Sequence, residues 1–278
     1  WDRKGEFPPN ETLDGLNVVR LHVASTYGAG SRQILRMPVF WMRALGELQR
    51  LCPDMVHCHD LDTALVGWWY AQRHHVPWIL DAHECYPEQV RGQHVSPILI
   101  SMLLFLESAM VKRANRVITV GNLLADRFRA MGGTVSVVGN YQALVEPGTT
   151  PTVTRESLGF GPQDFVVAYI GMFIAGRAVL PLIQASVQMS SVTLLLLGDG
   201  PQREAILEAM ADHPRIRYLG RVPQAQVSDY TALADVLYYG LDAAVPDGNI
   251  HYSSPNALFN AMMAGRPILT TNIGEIAQ

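Results

Sequence analysis

Along most of its length the chain alternates short apolar runs with helical ones. Residues 16–24, 54–58, 77–81, 116–120 and 134–138 read as strands, with 37–51, 63–73, 97–112 and 123–131 as the helices among them. A second series has strands at 165–170, 192–197, 216–219, 236–239 and 267–271, and helices at 179–188, 202–211 and 224–233. Such repetition argues for parallel sheets with crossover helices. The expectation is an α/β protein of two doubly wound units, whose ligands gather at the carboxyl ends of the strands.

The chain is long enough for this: 278 residues, 49% apolar, accommodate two cores. Residues 146–154 are rich in Pro and Thr without periodicity, so a linker is expected over 146–163, between a domain at 1–145 and another at 164–278. A net charge of −4 gives no basic footprint, which argues against a nucleic-acid partner. Three cysteines without CxxC spacing fit a reducing cytoplasm and form neither a disulfide frame nor a zinc site. The most apolar helix, 97–111, is too short to span a bilayer and contains Glu107. It reads as a buried helix, with a membrane-facing surface as the alternative. The chain begins at Trp1 and stops at Gln278 just after a strand, so both ends read as cut.

Six segments are candidates for chemistry, and they divide by how far their residues support it. In Ser254-Pro-Asn-Ala-Leu-Phe-Asn260, Ser254 is expected to cap a helix with Pro255 at its first position and Gly265 as its stop. A helix start offers N–H groups and a positive dipole end to an anion, although most capped helices bind nothing. Asn256 and Asn260, four apart, should point to one side. In Asp81-Ala-His83-Glu84, which follows a buried strand, His83 could polarise a hydroxyl or simply be a hydrogen-bonded loop residue. In His57-Cys-His59-Asp60-Leu-Asp62, alternation places His57 and His59 on one face. No Cys or His cluster elsewhere completes that pair, so no metal is expected. Arg177, after the first strand of the second series, could pair with phosphate oxygens or be a solvated surface residue. Gly198-Asp-Gly200-Pro is turn chemistry, and the Tyr27–Arg32 loop lacks a phosphate-loop Lys-Ser/Thr.

The run from Ser254 to Asn260 resembles the donor-binding helix of family 4 glycosyltransferases, retaining enzymes of the GT-B fold that use nucleotide sugars. It is similar to the Ser-Pro-Asn-Lys-Leu-Phe-Glu of one subgroup. The resemblance implies two Rossmann-like domains facing a cleft, an acceptor-side domain followed by a nucleotide-sugar-binding one. It places Arg177 on the donor diphosphate, Gly200 beside the base, and Ser253, Ser254, Asn256, Leu258 and Asn260 along the donor. It brings His83 to the reacting sugar as the catalytic candidate, with His59, Asp60 and Glu84 on the acceptor side. Transfer would be metal-independent and without a cofactor, since the nucleotide sugar is a substrate. The acceptor could be a lipid, a polysaccharide or a small molecule, with peripheral membrane contact in the first case. Four positions depart from the pattern: Asn260 and Tyr252 replace glutamates, Met172 a basic residue and Ala178 a glycine. These departures keep an impaired or inert partner subunit open, beside a nucleotide-sugar epimerase on the same scaffold.

Overall fold

The computed structural model describes residues 1–25, 36–91, 95–143, 153–211, 213–245 and 248–278. It divides into two compact units, Trp1–Val138 and Gly139–Gln278. The Tyr27–Arg32 loop lies outside the described residues, as does most of the Pro/Thr-rich run.

The first unit is built on four parallel strands, β3 (Val56–His59), β4 (Trp78–Ala82), β5 (Arg116–Thr119) and β6 (Val135–Val137), adjacent in that order. Its helices are α1 (Met37–Leu51), α2 (Asp60–His74), α3 (Tyr86–Arg91), α4 (Pro97–Arg113) and α5 (Asn122–Ala130). The order runs one way, so the reversal that defines a doubly wound sheet is absent from the described strands of this unit. Trp78, Tyr70, Leu80, Leu124 and Phe128 form the large buried side chains.

Two expectations fail here. Residues 16–24 are not a strand of the parallel sheet: β2 (Leu16–Val19) is the return arm of an antiparallel hairpin with β1 (Asn10–Leu13). The cause is the Asp14-Gly15 turn, whose φ values of 50° and 81° are the pair that a tight hairpin needs. Nor is α4 buried all round. Ile100, Glu107, Met110 and Val111 face inward, whereas Ile98, Met102 and Phe105 are 75%, 62% and 77% exposed, an apolar stripe at helical spacing. Ser96 caps this helix by accepting from Leu99 N–H at 3.3 Å, with Pro97 next in line.

The second unit carries five parallel strands, β7 (Phe165–Ile170), β8 (Val192–Leu197), β9 (Ile216–Gly220), β10 (Val236–Tyr239) and β11 (Ile268–Thr270). Their order is β11-β10-β7-β8-β9. Every residue of β8 is buried, which is why this strand reads as an unbroken apolar run. Helices α6 (Val179–Val187), α7 (Arg203–Ala209), α8 (Val227–Leu233) and α9 (Asn256–Met263) accompany the strands. The order reverses between β7 and β10, and the crevice beyond those two strand ends is where such sheets bind ligands.

The described part of the expected linker, 153–163, packs into this unit. Phe160 is buried in its core, and Arg155 donates to Leu233 O at 2.7 and 2.9 Å and to Asp235 Oδ1 at 2.8 Å.

Candidate functional site

At the carboxyl ends of β3 and β4, one carboxylate gathers three imidazoles. His57 Nε2 hydrogen-bonds Asp81 Oδ2 at 3.1 Å, His59 Nδ1 lies 3.3 Å from the same oxygen, and His83 Nε2 lies 3.1 Å from Oδ1. Strand register explains the assembly. His59 pairs with Asp81 across the β3–β4 ladder, so both share a face, and alternation adds His57 two residues earlier. The rings of His57 and His59 stack at 4.9 Å, while Cys58 between them is buried. Asp60 stands at the first position of α2 with no loop between it and β3, and its φ of 59° lies in the left-handed region, so it makes the bend from strand to helix. Its Oδ1 accepts from His83 N–H at 3.0 Å. Glu84 is exposed and takes a hydrogen bond from Gln89 Nε2.

Beside the cluster, a 720 Å³ cleft within the first unit is lined by Trp1, Arg3, His59, Asp60 and Asp62 among others. Burial, followed by the neighbouring Asp60 charge, raises the Asp62 carboxyl above its ordinary value.

In the second unit, the loop after β7 is pinned at several points. Tyr169 Oη donates to Met172 O at 2.6 Å, Phe173 N–H to Asp199 O at 2.9 Å and Tyr238 Oη to Ala178 O at 3.2 Å. Two glycines let this loop approach the turn after β8. A Cβ on Gly198 would lie 1.8 Å from Gly171 O, and one on Gly200 2.6 Å from Phe173 O. Gly200 therefore serves the close passage of two backbones. Ala178 has φ 49°, the region that favours the glycine expected there, at a cost of roughly 1–2 kcal/mol.

What this loop presents is Arg177. Its guanidinium carbon sits 4.7 Å from the ring centre of Tyr239, the last residue of β10, so it stands at the point where strand order reverses. Among the described residues no carboxylate lies within ion-pair distance of it. Burial raises the Tyr239 phenol despite Arg177 and a hydrogen bond with Ser253, so the ring stays neutral under the cation. A pocket of 230 Å³ opens at the ends of β7 and β8, with Ile170, Met172, Leu197, Val222 and Val227 as its apolar walls.

The helix start differs from expectation. Pro255 is itself the N-cap, with ψ 140° and no side-chain cap, because its extended backbone delays the first helical turn to Asn256. Ser254 thus lies outside the helix, and its carbonyl accepts from Asn140 Nδ2 at 3.0 Å. Asn256 is exposed and Leu258 half-buried, but Asn260 is only 8% exposed, so the two amides are not equally available to a ligand.

The structure thus brings Arg177 and Ser253 together through Tyr239, and His59, Asp60 and His83 together through Asp81. Neither Asp81 nor Tyr239 is marked out as a site residue by the sequence. The signal for Asp81 was a lone charge ending an otherwise apolar strand.

Residues 2–140 match the glycosyl transferase 4-like domain, and residues 165–278 match glycosyl transferases group 1. A lipopolysaccharide core biosynthesis glycosyltransferase, LpsD of Rhizobium meliloti (strain 1021), is 28% identical over 137 residues; the match takes in 49% of this chain and 37% of that protein. Sucrose-phosphate synthase from Thermosynechococcus elongatus superposes with a TM-score of 0.73 at 18% identity, covering 98% of this chain and 70% of the other. HepE of Anabaena, solved with UDP and glucose, gives 0.62 at 17% over 92% and 68%. The catalytic domain of starch synthase IV from Arabidopsis thaliana, bound to ADP and acarbose, gives 0.65 at 17% over 96% and 68%. These likenesses establish the GT-B fold, with its Rossmann-like units. By its two family matches, the chain belongs to the glycosyl transferase family, with a 4-like domain followed by a group 1 domain.

Proposed function

We propose that this chain is the body of a retaining, metal-independent glycosyltransferase that moves a sugar from a nucleotide-sugar donor to an acceptor hydroxyl. The observation that carries the reading is Arg177, unpaired among the described residues and held on Tyr239 where strand order reverses. A guanidinium fixed by packing binds two diphosphate oxygens and stabilises the charge that grows on the leaving group. Ser253 adds a hydroxyl, and the 230 Å³ pocket suits the flat base of the nucleotide. UDP in HepE and ADP in starch synthase IV are in keeping with such a donor. In the transfer, the bond from the anomeric carbon to the diphosphate breaks, the acceptor oxygen bonds that carbon, and the acceptor proton leaves on the diphosphate. His83, held by Asp81 and Asp60, hydrogen-bonds the sugar, and the cleft along His59 and Asp60 receives the acceptor.

The protein works in the cytoplasm. A lipid acceptor would place the stripe of Ile98, Met102 and Phe105 against a membrane surface. Among the described residues, no helix is long and apolar enough to cross a membrane.

The burial of Asn260 favours a second reading, a relative that binds a nucleotide without turning it over. Incubation with UDP-, ADP- and GDP-sugars separates the two. Transfer releases nucleoside diphosphate at a rate that rises with acceptor, and the inert reading gives a thermal shift without release. A chain that binds none of these donors overturns both.

A further inference from the structure

The transfer reading uses His83 but gives His57 no task, and it does not explain why two imidazoles converge on a single carboxylate oxygen. The geometry points to a binding site for one divalent transition-metal ion of the Zn²⁺ class, ligated by His57 Nε2, His59 Nδ1 and Asp81 Oδ2. One ligand atom from each of these three residues lies within 4.8 Å of the others, the one such group among the described residues. Ligands about 2.0–2.1 Å from a tetrahedral zinc stand about 3.3 Å apart. The two nitrogens here are 3.1 and 3.3 Å from Oδ2, so an ion can enter with small side-chain shifts.

Two imidazoles and one carboxylate are borderline ligands. They suit zinc, cobalt or nickel and are poor for magnesium or calcium, which take mainly oxygens. Access is open, because the His57 and His59 side chains are 41% and 65% exposed. Asp81 is mostly buried, and a buried carboxylate gains much from an added positive charge. The free Oδ1 faces His83 Nε2, a contact that fixes the plane of the ligating carboxylate. With three protein ligands the fourth position stays with water. Along the sequence no Cys or His cluster completes the His57–His59 pair. Parallel pairing of β3 with β4 supplies the missing ligand from 22 residues away.

The site shares Asp81 with His83 and His59 with the acceptor-side cleft, but its test reads metal binding alone and needs no sugar nucleotide. The full chain, stripped with EDTA, is titrated with Zn²⁺ against a chromophoric chelator and separately with Co²⁺. The expected result is one equivalent bound at low micromolar Zn²⁺, a higher Tm, and visible absorption of tetrahedral Co²⁺. H57A and H59A alter exposed side chains and keep the fold; each should remove the Co²⁺ band and weaken Zn²⁺ binding at least about tenfold, and H83A should cost about tenfold through the carboxylate it orients. H74A/H75A, the adjacent histidine pair ending α2, should change nothing. Uptake that requires millimolar Zn²⁺, or that survives H57A and H59A, would overturn the site. So would a loss seen only in H74A/H75A.

Discussion

The two units solve the problem of charge in opposite ways. In the first, a mostly buried carboxylate collects cationic or ligating partners: Asp81 holds three imidazoles, and Glu107 is closed off with Arg127. In the second, the site is an arginine seated on an aromatic ring, beside a turn made of backbone and glycine. One surface is prepared for protons, hydroxyls or a metal ion, the other for a large anion. The difference follows from topology. Neighbouring parallel strands in register deliver side chains of one face to one spot, whereas a reversal of strand order delivers loops and their amides.

The largest expected effect lies where the first unit closes off its charge. Glu107 is 3% exposed and pairs with Arg127, linking α4 to α5. Arg127→Met strands that carboxylate, and the loss in unfolding free energy should be about 3–5 kcal/mol by urea denaturation. The double variant R127M/E107M should recover most of it. A single variant as stable as the parent would mean that the pair contributes nothing and that the two units handle charge alike.

Next comes the cation of the second unit. Arg177→Ala removes two charge-assisted bonds worth about 1.5–3 kcal/mol each, so nucleoside diphosphate affinity should fall by at least roughly two orders of magnitude, read by calorimetry. His83→Ala should leave that affinity nearly unchanged and lower turnover. Equal effects of both variants on nucleotide binding would erase the proposed division between the units.

A smaller effect tests the helix that first suggested a donor site. An exposed Asn260 facing ribose should bind better as glutamate. At 8% exposure, Asn260→Glu instead buries a carboxylate, and stability should drop by about 1–3 kcal/mol with no gain in nucleotide affinity. Tighter binding would return Asn260 to the ligand.

These contrasts also mark what the residues disclosed. The strands with unbroken apolar runs, such as Val192–Leu197, were legible because burial on both faces leaves no alternation to misread. Leu16–Val19 misled because apolar content alone does not give its partner, although Asp14-Gly15 carried the turn signal. Arg177 could be placed from its position after β7, but its support could not, since Tyr239 is 62 residues later in the chain. Asp81 was hidden for the same reason. Its meaning depends on the ladder with β3, and ladder register is a tertiary fact.

The smallest expected effect is the sharpest test of the contrast, because one carboxylate in each unit should respond to acid with the opposite sign. Burial raises Glu107 above its ordinary value even with Arg127 beside it. For Asp235 burial also pushes upward, but Val166 N–H and Arg155 outweigh it and hold the carboxyl low. A raised acid gives the folded state more protons than the unfolded one. Glu107's contribution is therefore fully present below the unfolded value near 4.5 and is lost as pH rises through the folded one. A depressed acid does the reverse, so Asp235's contribution is present above 3.8 and is lost as pH falls through its lowered folded value. Urea titrations of the parent, E107Q and D235N across the acid range should show this directly. The parent should lose its advantage over D235N on acidification and gain relative to E107Q. Parallel shifts in the two variants would mean that both carboxylates sit in equivalent surroundings, which the hydrogen bonds to Asp235 and the closure around Glu107 argue against.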